Sequence, residues 1–555
     1  MERVGKDSDP MATWLCVSPM RSATVVWRAF LFIAACLLAA FNWAEAGERR
    51  PNILVIIVDD LAPVSTAFGG PVSTPALDRL AEQGFSFTNN FANVPVCGAS
   101  RASMLSGLAP TAQRFLTFNS RLDVDAPEAT SLPAFFKKNG WYTLGNGKVF
   151  DVINDSANSW SRPVWNPEDQ WFSPVEAGER GEHLQKSYIQ PVGGKRPPVA
   201  EKLAVEDDAY PDGRIARKSV LDIAKVSRLQ QPFFMAVGFR KPHLPFNAPA
   251  KYWNNGEAEA AQLPMSWTVP AQNVPAAALH KSIELRMQYG ALPLIGEPLD
   301  DVARELLAAY YAATRYVDAQ VGRVLDALSA SGVADNTIVL LTGDHGFFLG
   351  EHRMWTKHAL FEPALRTPLV LYHPKLEGGK EIGAISDLLD IFPTLVDLAG
   401  MEVPPYLQGH SLRPLLEDPT NLSREEKPVS LSRWMNGESL RSPEFRYTRW
   451  HNAEDEAVAE TLFDLQSDPH ELINVVAAPE YADVLEQMRN GLFASRTGPV
   501  WSAELGRAQG FWKIMQSDAS GIVMILLLYP IVALVAALFV IALIVWLVKR
   551  RIMAK

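Results

Sequence analysis

The chain has 555 residues, 48% of them hydrophobic, so it is longer than one average domain and can bury a large core. Its 62 acidic residues outnumber its 52 Lys and Arg residues, and the formal net charge of -10 argues against a general nucleic-acid-binding protein. We therefore expect no nucleic-acid partner, and an anionic substrate would need cationic side chains gathered at one place.

The N-terminus has the pattern of an export signal. Two arginines precede an apolar stretch over residues 29–41, and Ala44-Glu45-Ala46 then offers a cleavage site between small residues. This pattern predicts a signal peptide over residues 1–46. The alternative is an uncleaved anchor, but the apolar stretch is shorter than the ~20 residues that a membrane span needs.

The body of the chain, from about residue 51 to residue 400, alternates short apolar runs with helical patterns, which predicts an α/β sheet. The predicted strands are 53–58, 142–144, 233–237, 337–341 and 369–372. The predicted helices are one capped by Thr74 with Pro75 in its first turn, and those over 131–140, 301–331 and 387–399, the last interrupted by Pro393. Two Pro-rich stretches, 160–198 and 242–298, lack a regular pattern and indicate surface excursions of the kind that form substrate pockets.

The C-terminal part changes character at about residue 426. Short polar and aromatic strands followed by a helix predict a small α+β subdomain with an antiparallel sheet over 426–500, and 501–520 then form a linker. Residues 521–548 are uncharged and apolar for longer than a bilayer span requires, and lysines and arginines follow in 549–555. We therefore predict a transmembrane helix with a cytoplasmic tail, and a body that lies in the periplasm or at the cell surface. A buried core helix is the alternative, but such a helix does not need apolar residues on every face.

Ionisable residues follow four of the predicted strands. Asp59 and Asp60 follow the first, Lys148 follows the second, His243 follows the third, and Asp344-His345 follows the fourth. Because ligands bind at the carboxyl ends of the strands in such sheets, we expect these side chains to meet at one edge.

Three of these side chains are carboxylates, Asp59, Asp60 and Asp344, and they would repel one another unless a cation lay between them. Carboxylate oxygens suit a hard divalent cation such as Ca²⁺ or Mg²⁺. For the Asp-Asp pair alone, a solvated turn or a helix cap is the alternative. The third carboxylate favours a metal site.

Cys97 is the only cysteine outside the predicted signal peptide, so it cannot form an internal disulfide. Its segment predicts the start of a helix, and Arg101 follows one turn later, a setting that favours an anionic nucleophile. A small buried hydrophobe is the alternative. Lys148, His243 and Lys357 would each be ordinary structural residues alone. Together they supply cations for a tetrahedral oxyanion and a proton donor for a leaving alcohol.

These residues lie in motifs that occur in a fixed order. The motifs are 52–60, Cys97-Gly98-Ala99-Ser100-Arg101, Gly147-Lys148, 342–346, 349–352, Trp355-Thr356-Lys357, 462–465 and 468–471. Over residues 51 to about 474 the chain resembles the sulfatases of the alkaline-phosphatase superfamily. The stretches 118–120, 233–243 and 316–323 resemble the iduronate-sulfatase branch of that family. The resemblance implies an alkaline-phosphatase-like fold, a mixed, mostly parallel sheet flanked by helices, with residues 47–425 as the catalytic domain.

The resemblance also implies an activity, the removal of sulfate from a sulfated carbohydrate such as a uronate-containing polysaccharide. In this family a maturation enzyme converts the motif cysteine, here Cys97, to the aldehyde formylglycine, whose hydrate attacks sulfur, and one Ca²⁺ is bound. The implied roles are as follows: Asp59, Asp60, Asp344, His345 and the modified Cys97 hold Ca²⁺, Arg101 positions the formylglycine hydrate, Lys148 and Lys357 bind sulfate oxygens, and His243 gives a proton to the leaving group.

Two residues depart from the family pattern. Ala99 stands where proline is usual, which leaves the conversion of Cys97 open. Asp151 stands close to the position where relatives carry a histidine shortly after Lys148, which indicates a different substrate or a partly lost site. Two other functions therefore stay open: a phosphate or phosphonate ester hydrolase of the same superfamily, and a non-catalytic surface protein that binds sulfated glycans through a decayed site.

Overall fold

The computed structural model describes residues 49–167, 198–289, 299–420 and 429–496. The predicted signal peptide, linker, transmembrane helix and cytoplasmic tail lie outside these ranges. Within the described ranges, no helix combines the length and apolarity that crossing a membrane requires. The signal peptide and the membrane anchor therefore stay predictions.

Short strands and helices alternate along the chain. The strands are β1 Asn52–Val58, β2 Phe85–Phe87, β3 Asn90–Phe91, β4 Tyr142–Gly147, β5 Ala200–Leu203, β6 Phe233–Phe239, β7 Phe246–Pro249, β8 Thr337–Gly343, β9 Phe348–Leu349, β10 Trp355–Thr356, β11 Leu369–Tyr372, β12 Lys380–Ile382, β13 Ser386–Asp387, β14 Ser430–Trp434, β15 Gly437–Arg441, β16 Phe445–His451 and β17 Ala457–Asp464. The α-helices are Pro75–Gln83, Cys97–Ser106, Leu122–Asp125, Leu132–Lys138, Pro211–Val226, Glu257–Ala260, Met265–Thr268, Ile283–Gln288, Asp300–Ser329, Glu362–Leu365, Ile391–Leu398, Arg413–Glu417 and Ala482–Ser495.

The central sheet has the strand order β12-β2-β11-β8-β1-β6-β4. Strand β1 pairs in parallel with both β8 and β6, and β4 pairs in parallel with β6. Strand β11 runs antiparallel to β8 and to β2. The prediction of a mixed, mostly parallel sheet is therefore confirmed. Every residue of β1, β6 and β8 is buried, as expected of parallel strands covered on both faces.

Alternate residues of β1 enter two hydrophobic clusters on opposite faces of the sheet. One cluster contains Ile53, Val55 and Ile57 with residues of the helices Cys97–Ser106, Leu132–Lys138 and Ile391–Leu398. The other contains Leu54, Ile56 and Val58 with residues of the helices Pro75–Gln83, Pro211–Val226 and Asp300–Ser329. Because side chains alternate across a strand, one strand supplies both layers, and each buried aliphatic side chain contributes about 1.5–3 kcal/mol.

Three strands run further than their apolar runs predicted. Strands β4, β6 and β8 end at Gly147, Phe239 and Gly343, because ladder pairing continues through residues that are not apolar. Gly147 pairs with Gly238, and Val58 pairs with Gly343. The polar residues that follow these strands therefore leave the sheet directly at its edge.

The predicted interruption of helix 387–399 by Pro393 is wrong. A 3₁₀ turn over Leu388–Asp390 comes first, and the α-helix begins only at Ile391. Pro393 then lies in the first turn, where a backbone N–H has no partner within the helix, so the ring breaks no hydrogen bond. Asp387 caps the preceding turn by accepting from the backbone N–H of Leu389.

The helix Pro75–Gln83 follows Thr74 and has Pro75 in its first turn, as predicted, but the Thr74 side chain does not cap it. The Thr74 side chain makes no capping hydrogen bond and donates instead to Asp78 Oδ1 at 3.1 Å. Asp318, from the long helix Asp300–Ser329, accepts from the backbone N–H groups of Ala76 at 3.1 Å and Leu77 at 2.9 Å. A carboxylate from another helix therefore satisfies the free N–H groups of this helix start.

The C-terminal part contains the antiparallel sheet that its sequence pattern indicates. Strands β14 to β17 pair in sequence order, and the helix Ala482–Ser495 packs on this sheet through Leu485, Met488 and Leu492. Arg446 of β16 donates to Glu362 at 2.9 Å, which joins this sheet to the helix Glu362–Leu365. The subdomain boundary at residue 426 stays a prediction.

Candidate active site

The predicted residues meet at the carboxyl edge of the central sheet. Strands β1, β4, β6 and β8 deliver the residues that follow them, the helix Cys97–Ser106 delivers two more, and the segment after β10 delivers the last. All nine side chains are buried: Asp59, Asp60, Cys97, Arg101, Lys148, His243, Asp344, His345 and Lys357. The partners in one of their ion pairs, Asp60 and Lys357, are 297 residues apart in the chain.

Arg101 ties three of these elements together through its guanidinium group. Its Nε donates to Asp344 Oδ2 at 2.8 Å, and its Nη2 donates to Asp59 Oδ1 at 2.9 Å. Its Nη1 donates to the carbonyl oxygens of Lys148 and, at 3.1 Å, Val149. Burial would lower the pKa of this guanidinium, but the two aspartates raise it, so Arg101 stays charged. The side chain therefore fixes the aspartates after β1 and β8 relative to the loop after β4.

Each aspartate after β1 is paired with a lysine. Lys148 Nζ lies 2.7 Å from Asp59 Oδ2, and Lys357 Nζ lies 3.0 Å from both oxygens of Asp60. Burial alone would raise the pKa of Asp59, but Lys148 and Arg101 hold it well below its ordinary value. Burial raises the pKa of Asp60 well above its ordinary value, because Lys357 offsets only part of that effect and Asp59 adds repulsion. The two neighbouring carboxyl groups therefore differ in acidity, and Asp59 ionises more readily than Asp60.

The backbone at Asp60 forms a tight turn after β1 that is fixed by hydrogen bonds. Its φ of 59° lies in the left-handed region, which Asp tolerates better than most residues do. The Asp60 N–H donates to Asp344 Oδ1 at 3.1 Å, and its carbonyl accepts from the Tyr310 hydroxyl at 2.7 Å. That hydroxyl also accepts from the Ala62 N–H at 2.8 Å. Tyr310 therefore holds the turn after β1, a role that the sequence did not reveal.

Cys97 is the first residue of its helix and faces the cluster. Its Sγ lies 3.3 Å from His345 Nε2 and 3.8 Å from Asp60 Oδ1, and only 4% of the residue is exposed. Burial raises the pKa of the thiol well above its ordinary value, although Lys148 and Lys357 oppose this effect. Desolvation therefore outweighs the nearby cations for the unmodified thiol, and the expectation that the helix start and Arg101 favour an anionic nucleophile at this position stays a prediction.

The rest of the 97–101 motif fixes this helix start. A Cβ on Gly98 would lie 2.1 Å from the carbonyl oxygen of Phe118, so the loop closes directly onto the glycine. The Ser100 hydroxyl donates to the carbonyl oxygen of Asp344. The position of Cys97 is thus set by backbone contacts on both sides of the helix.

The aspartate cluster fits a divalent cation. Carboxylate oxygens of Asp59, Asp60 and Asp344 lie within 4.8 Å of one another, and so do ligand atoms of Asp60, Cys97 and His345. His345 Nδ1 donates to the Gly346 carbonyl at 2.8 Å, because a carbonyl only accepts, so Nε2 keeps its lone pair toward the cluster. Burial lowers the pKa of His345, which favours the neutral, ligand-competent ring. Hard oxygen donors of this kind suit Ca²⁺.

His243 presents its Nε2 to the same site. Its Nδ1 donates to the Leu244 carbonyl at 2.7 Å, and its Nε2 lies 3.8 Å from Asp60 Oδ2 and 3.6 Å from Glu284 Oε1. Burial, together with Lys357, lowers the pKa of the imidazole well below its ordinary value. Glu284 was not predicted: it lies in the Pro-rich stretch 242–298, where the sequence carries no periodic signal.

Asp151 pairs with one of the two lysines. Its Oδ1 lies 2.8 Å from Lys148 Nζ, which also contacts Asp59. Burial would lower the pKa of Lys148, but Asp151 and Asp59 raise it well above its ordinary value. The departure noted in the sequence therefore places a carboxylate, and not a second cation, beside this lysine.

A buried cluster of aspartates, lysines and an arginine at the carboxyl edge of a mostly parallel sheet, with a cysteine at a helix start, fits an enzyme that hydrolyses anionic esters. A model of the sulfatase family matches residues 51–401, and one for the C-terminal region of N-sulphoglucosamine sulphohydrolase matches residues 350–498. The chain belongs to the sulfatase family, and it is a sulfuric ester hydrolase. The resemblance predicted from the motifs is confirmed.

Individual relatives agree with this assignment. The chain is 29% identical to iduronate 2-sulfatase of Homo sapiens over 515 residues, which cover 78% of this chain and 91% of the relative. A solved structure in complex with its substrate D-glucosamine-2-N,6-O-disulfate is similar with a TM-score of 0.64 and 23% identity, over 80% of this chain and 97% of that chain. Phosphonate monoester hydrolase of Agrobacterium radiobacter is similar with a TM-score of 0.65 and 24% identity, over 80% and 95%. At these identities the two structures establish the shared fold.

Proposed function

We propose that this sulfatase removes sulfate from a sulfated, uronate-containing carbohydrate outside the cytoplasm, with Ca²⁺ at the aspartate cluster and formylglycine at position 97. The convergence of all nine predicted side chains on one buried site carries this proposal. The likeness to iduronate 2-sulfatase supports a uronate-containing substrate. The apolar stretch 521–548 and the N-terminal signal pattern support a protein tethered to the membrane, with its catalytic part outside.

The metal would be held by Asp59, Asp60, Asp344 and His345, together with position 97. A divalent cation bound there would polarise the sulfate group and favour an anionic nucleophile. The guanidinium group of Arg101 forms a fork of hydrogen bonds to Asp59 and Asp344, which fixes the positions of these two carboxylates relative to each other. A bound cation would offset the cost of ionising the buried Asp60 carboxyl, whose pKa burial raises well above its ordinary value.

The cationic side chains suit the substrate end of the site. Lys148 contacts Asp59 and Lys357 contacts Asp60, and from these positions their Nζ atoms can bind the non-reacting sulfate oxygens. His243 Nδ1 is committed to a backbone carbonyl, so Nε2 is the atom left to face the leaving alcohol, and it can give a proton only when the ring is doubly protonated.

We propose that a maturation enzyme converts Cys97 to formylglycine, because the unmodified thiol is poorly suited to attack sulfur. A thiol whose pKa is raised well above its ordinary value is protonated at neutral pH and is a poor nucleophile. Formylglycine at this position would supply an oxygen nucleophile in place of sulfur. Mass spectrometry of the peptide containing Cys97 should show the mass loss of a thiol converted to an aldehyde, and an unmodified thiol in fully active protein would refute this part of the proposal.

The substrate class is tested with the purified full-length protein. Sulfate release is measured on a panel of defined sulfated oligosaccharides, in parallel with turnover of an aryl sulfate and the matching aryl phosphate. We expect desulfation of at least one uronate-containing oligosaccharide and loss of that activity in Cys97→Ala. Faster turnover of the aryl phosphate would favour the phosphate or phosphonate ester hydrolase instead. The membrane anchor is tested separately, since carbonate washing should leave the full chain in the membrane fraction and release a chain that ends at residue 520.

A further inference from the structure

Lys148 lies between two carboxylates that differ in their exposure. Asp59, on the inner side, is fully buried and lies 2.7 Å from Nζ. Asp151, on the outer side, lies 2.8 Å from Nζ, and 22% of its side chain is exposed. An anion that binds Lys148 from solvent therefore meets the carboxylate of Asp151.

Lys357 has the same arrangement on the other side of the site. Asp60 is the buried inner partner at 3.0 Å, and Glu284 Oε2 lies 3.5 Å from Nζ with 12% of its side chain exposed. Among the described residues, Glu284 Oε2 accepts no hydrogen bond, and its other oxygen lies 3.6 Å from His243 Nε2. We call Asp151 and Glu284 the rim carboxylates.

The rim carboxylates change the charge that an incoming anion meets. The ion pairs of the site join five carboxylates, Asp59, Asp60, Asp344, Asp151 and Glu284, to three cations, Arg101, Lys148 and Lys357. Two negative charges are therefore left over, and one divalent cation would balance them. The site then offers an anion no surplus positive charge, although two lysines face it.

We propose that the rim carboxylates make this site selective for singly charged sulfate groups over doubly charged anions of the same shape. The inference rests on the proposed function, because it takes Lys148 and Lys357 as the sulfate-binding residues. A sulfate monoester carries one negative charge, whereas a phosphate monoester carries close to two at neutral pH. At about 5 Å and an effective dielectric constant of about 40–50, repulsion of the second charge by one carboxylate corresponds to about a tenfold change in affinity.

The test compares two tetrahedral anions that differ in charge, sulfamate with one negative charge and sulfate with two. Their dissociation constants are measured by titration calorimetry on the full-length protein with Ca²⁺ present. The variants are Asp151→Asn, Glu284→Gln and the double variant. Glu417→Gln is the matched control, because Glu417 is 55% exposed and pairs with Arg413 away from the site.

We expect the wild type to bind sulfamate more tightly than sulfate. Each rim variant should shift this preference toward sulfate by about tenfold, the double variant should shift it further, and the control should leave it unchanged. The ratio of kcat/KM for an aryl phosphate to that for an aryl sulfate should rise in the same order. Equal urea midpoints for all variants verify that the fold is intact.

A preference that stays unchanged in both rim variants overturns the inference. An equal shift in Glu417→Gln overturns it too, because that result would reflect the overall charge of the protein. Failure of the wild type to bind either anion also overturns it. Anion binding is measured without turnover, so a protein that shows the charge preference but hydrolyses no sulfate ester would contradict the proposed function and leave the charge selectivity established.

Discussion

Replacement of Arg101 by methionine should destabilise the protein more than almost any other loss of a single charge. The side chain is fully buried and serves two carboxylates and two backbone carbonyls. Removing one partner of a buried ion pair typically costs about 3–5 kcal/mol, because the other charge is left unpaired. Asp59 keeps Lys148 as a partner, whereas Asp344 loses its ion pair with Arg101, so we expect a cost within that range and not twice as large.

The measurement is urea unfolding of the purified full-length protein, followed by tryptophan fluorescence, in the presence of a chelator. The chelator matters because a bound cation would take over part of the neutralisation. Arg101→Lys retains the charge but cannot form the fork, so its cost should be intermediate. Arg489→Met is the matched control: Arg489 pairs with Glu460 but is 42% exposed, and an exposed pair contributes about 0–1 kcal/mol.

The result that would refute this reasoning is specific. If Arg101→Met lay within about 1 kcal/mol of the wild type, or no further from it than Arg489→Met, the buried fork would not be an important source of stability. Added Ca²⁺ should restore part of the loss in Arg101→Met and none of it in Arg489→Met, because only the first variant leaves carboxylates unpaired at the metal site.

Three further outcomes follow from the structure. Burial raises the pKa of Asp318 from 3.8 to about 6, so between these pH values the folded state binds more protons than the unfolded state. The melting temperature should therefore fall as the pH rises through this window, and it should fall less steeply in Asp318→Asn. The same dependence of melting temperature on pH in both proteins would contradict this prediction. Gly98→Ala should abolish most sulfate release, because the new methyl group would clash with the Phe118 carbonyl. Gly383→Ala should leave sulfate release unchanged, because there is open space where its Cβ would lie. Ca²⁺ at a hundredfold excess over its Kd should stabilise the wild type by about 2.7 kcal/mol, which thermal unfolding would show as a higher melting temperature. Asp344→Asn should lose most of this shift, and an equal shift in that variant would place the ion elsewhere.

The location of the site was predictable from the sequence because two simple patterns coincide there. Apolar runs predict buried parallel strands, and ionisable residues directly after such runs must lie at the carboxyl edge. Asp59, Lys148 and Asp344 were placed in this way, and the structure brings them together. The strand ends at Gly147 and Gly343 were missed, since ladder pairing through glycine and polar residues leaves no trace in hydropathy.

The residues that support the site were not predictable by the same means. Tyr310 lies on the buried face of a long helix, where a tyrosine has the same appearance as any core residue. Glu284 lies in a stretch without periodicity, and its importance comes only from its distances to His243 and Lys357. The role of Asp318 was also not predictable, because this residue caps the helix Pro75–Gln83 from a different helix, and such a contact depends on the tertiary structure. Local sequence patterns therefore predict the catalytic and metal-binding residues, whereas the residues that position them depend on long-range packing.

The wide spacing of the ion pairs along the chain has a consequence for how activity is acquired. Closing a loop of nearly 300 residues, as between Asp60 and Lys357, costs conformational entropy that only the finished sheet and its two helical layers offset. No fragment shorter than about 298 residues contains both ends of that pair, so such fragments should be inert even when parts of them fold. We therefore expect enzymatic activity to appear late in refolding, so the recovery of activity would report when the whole tertiary structure is complete.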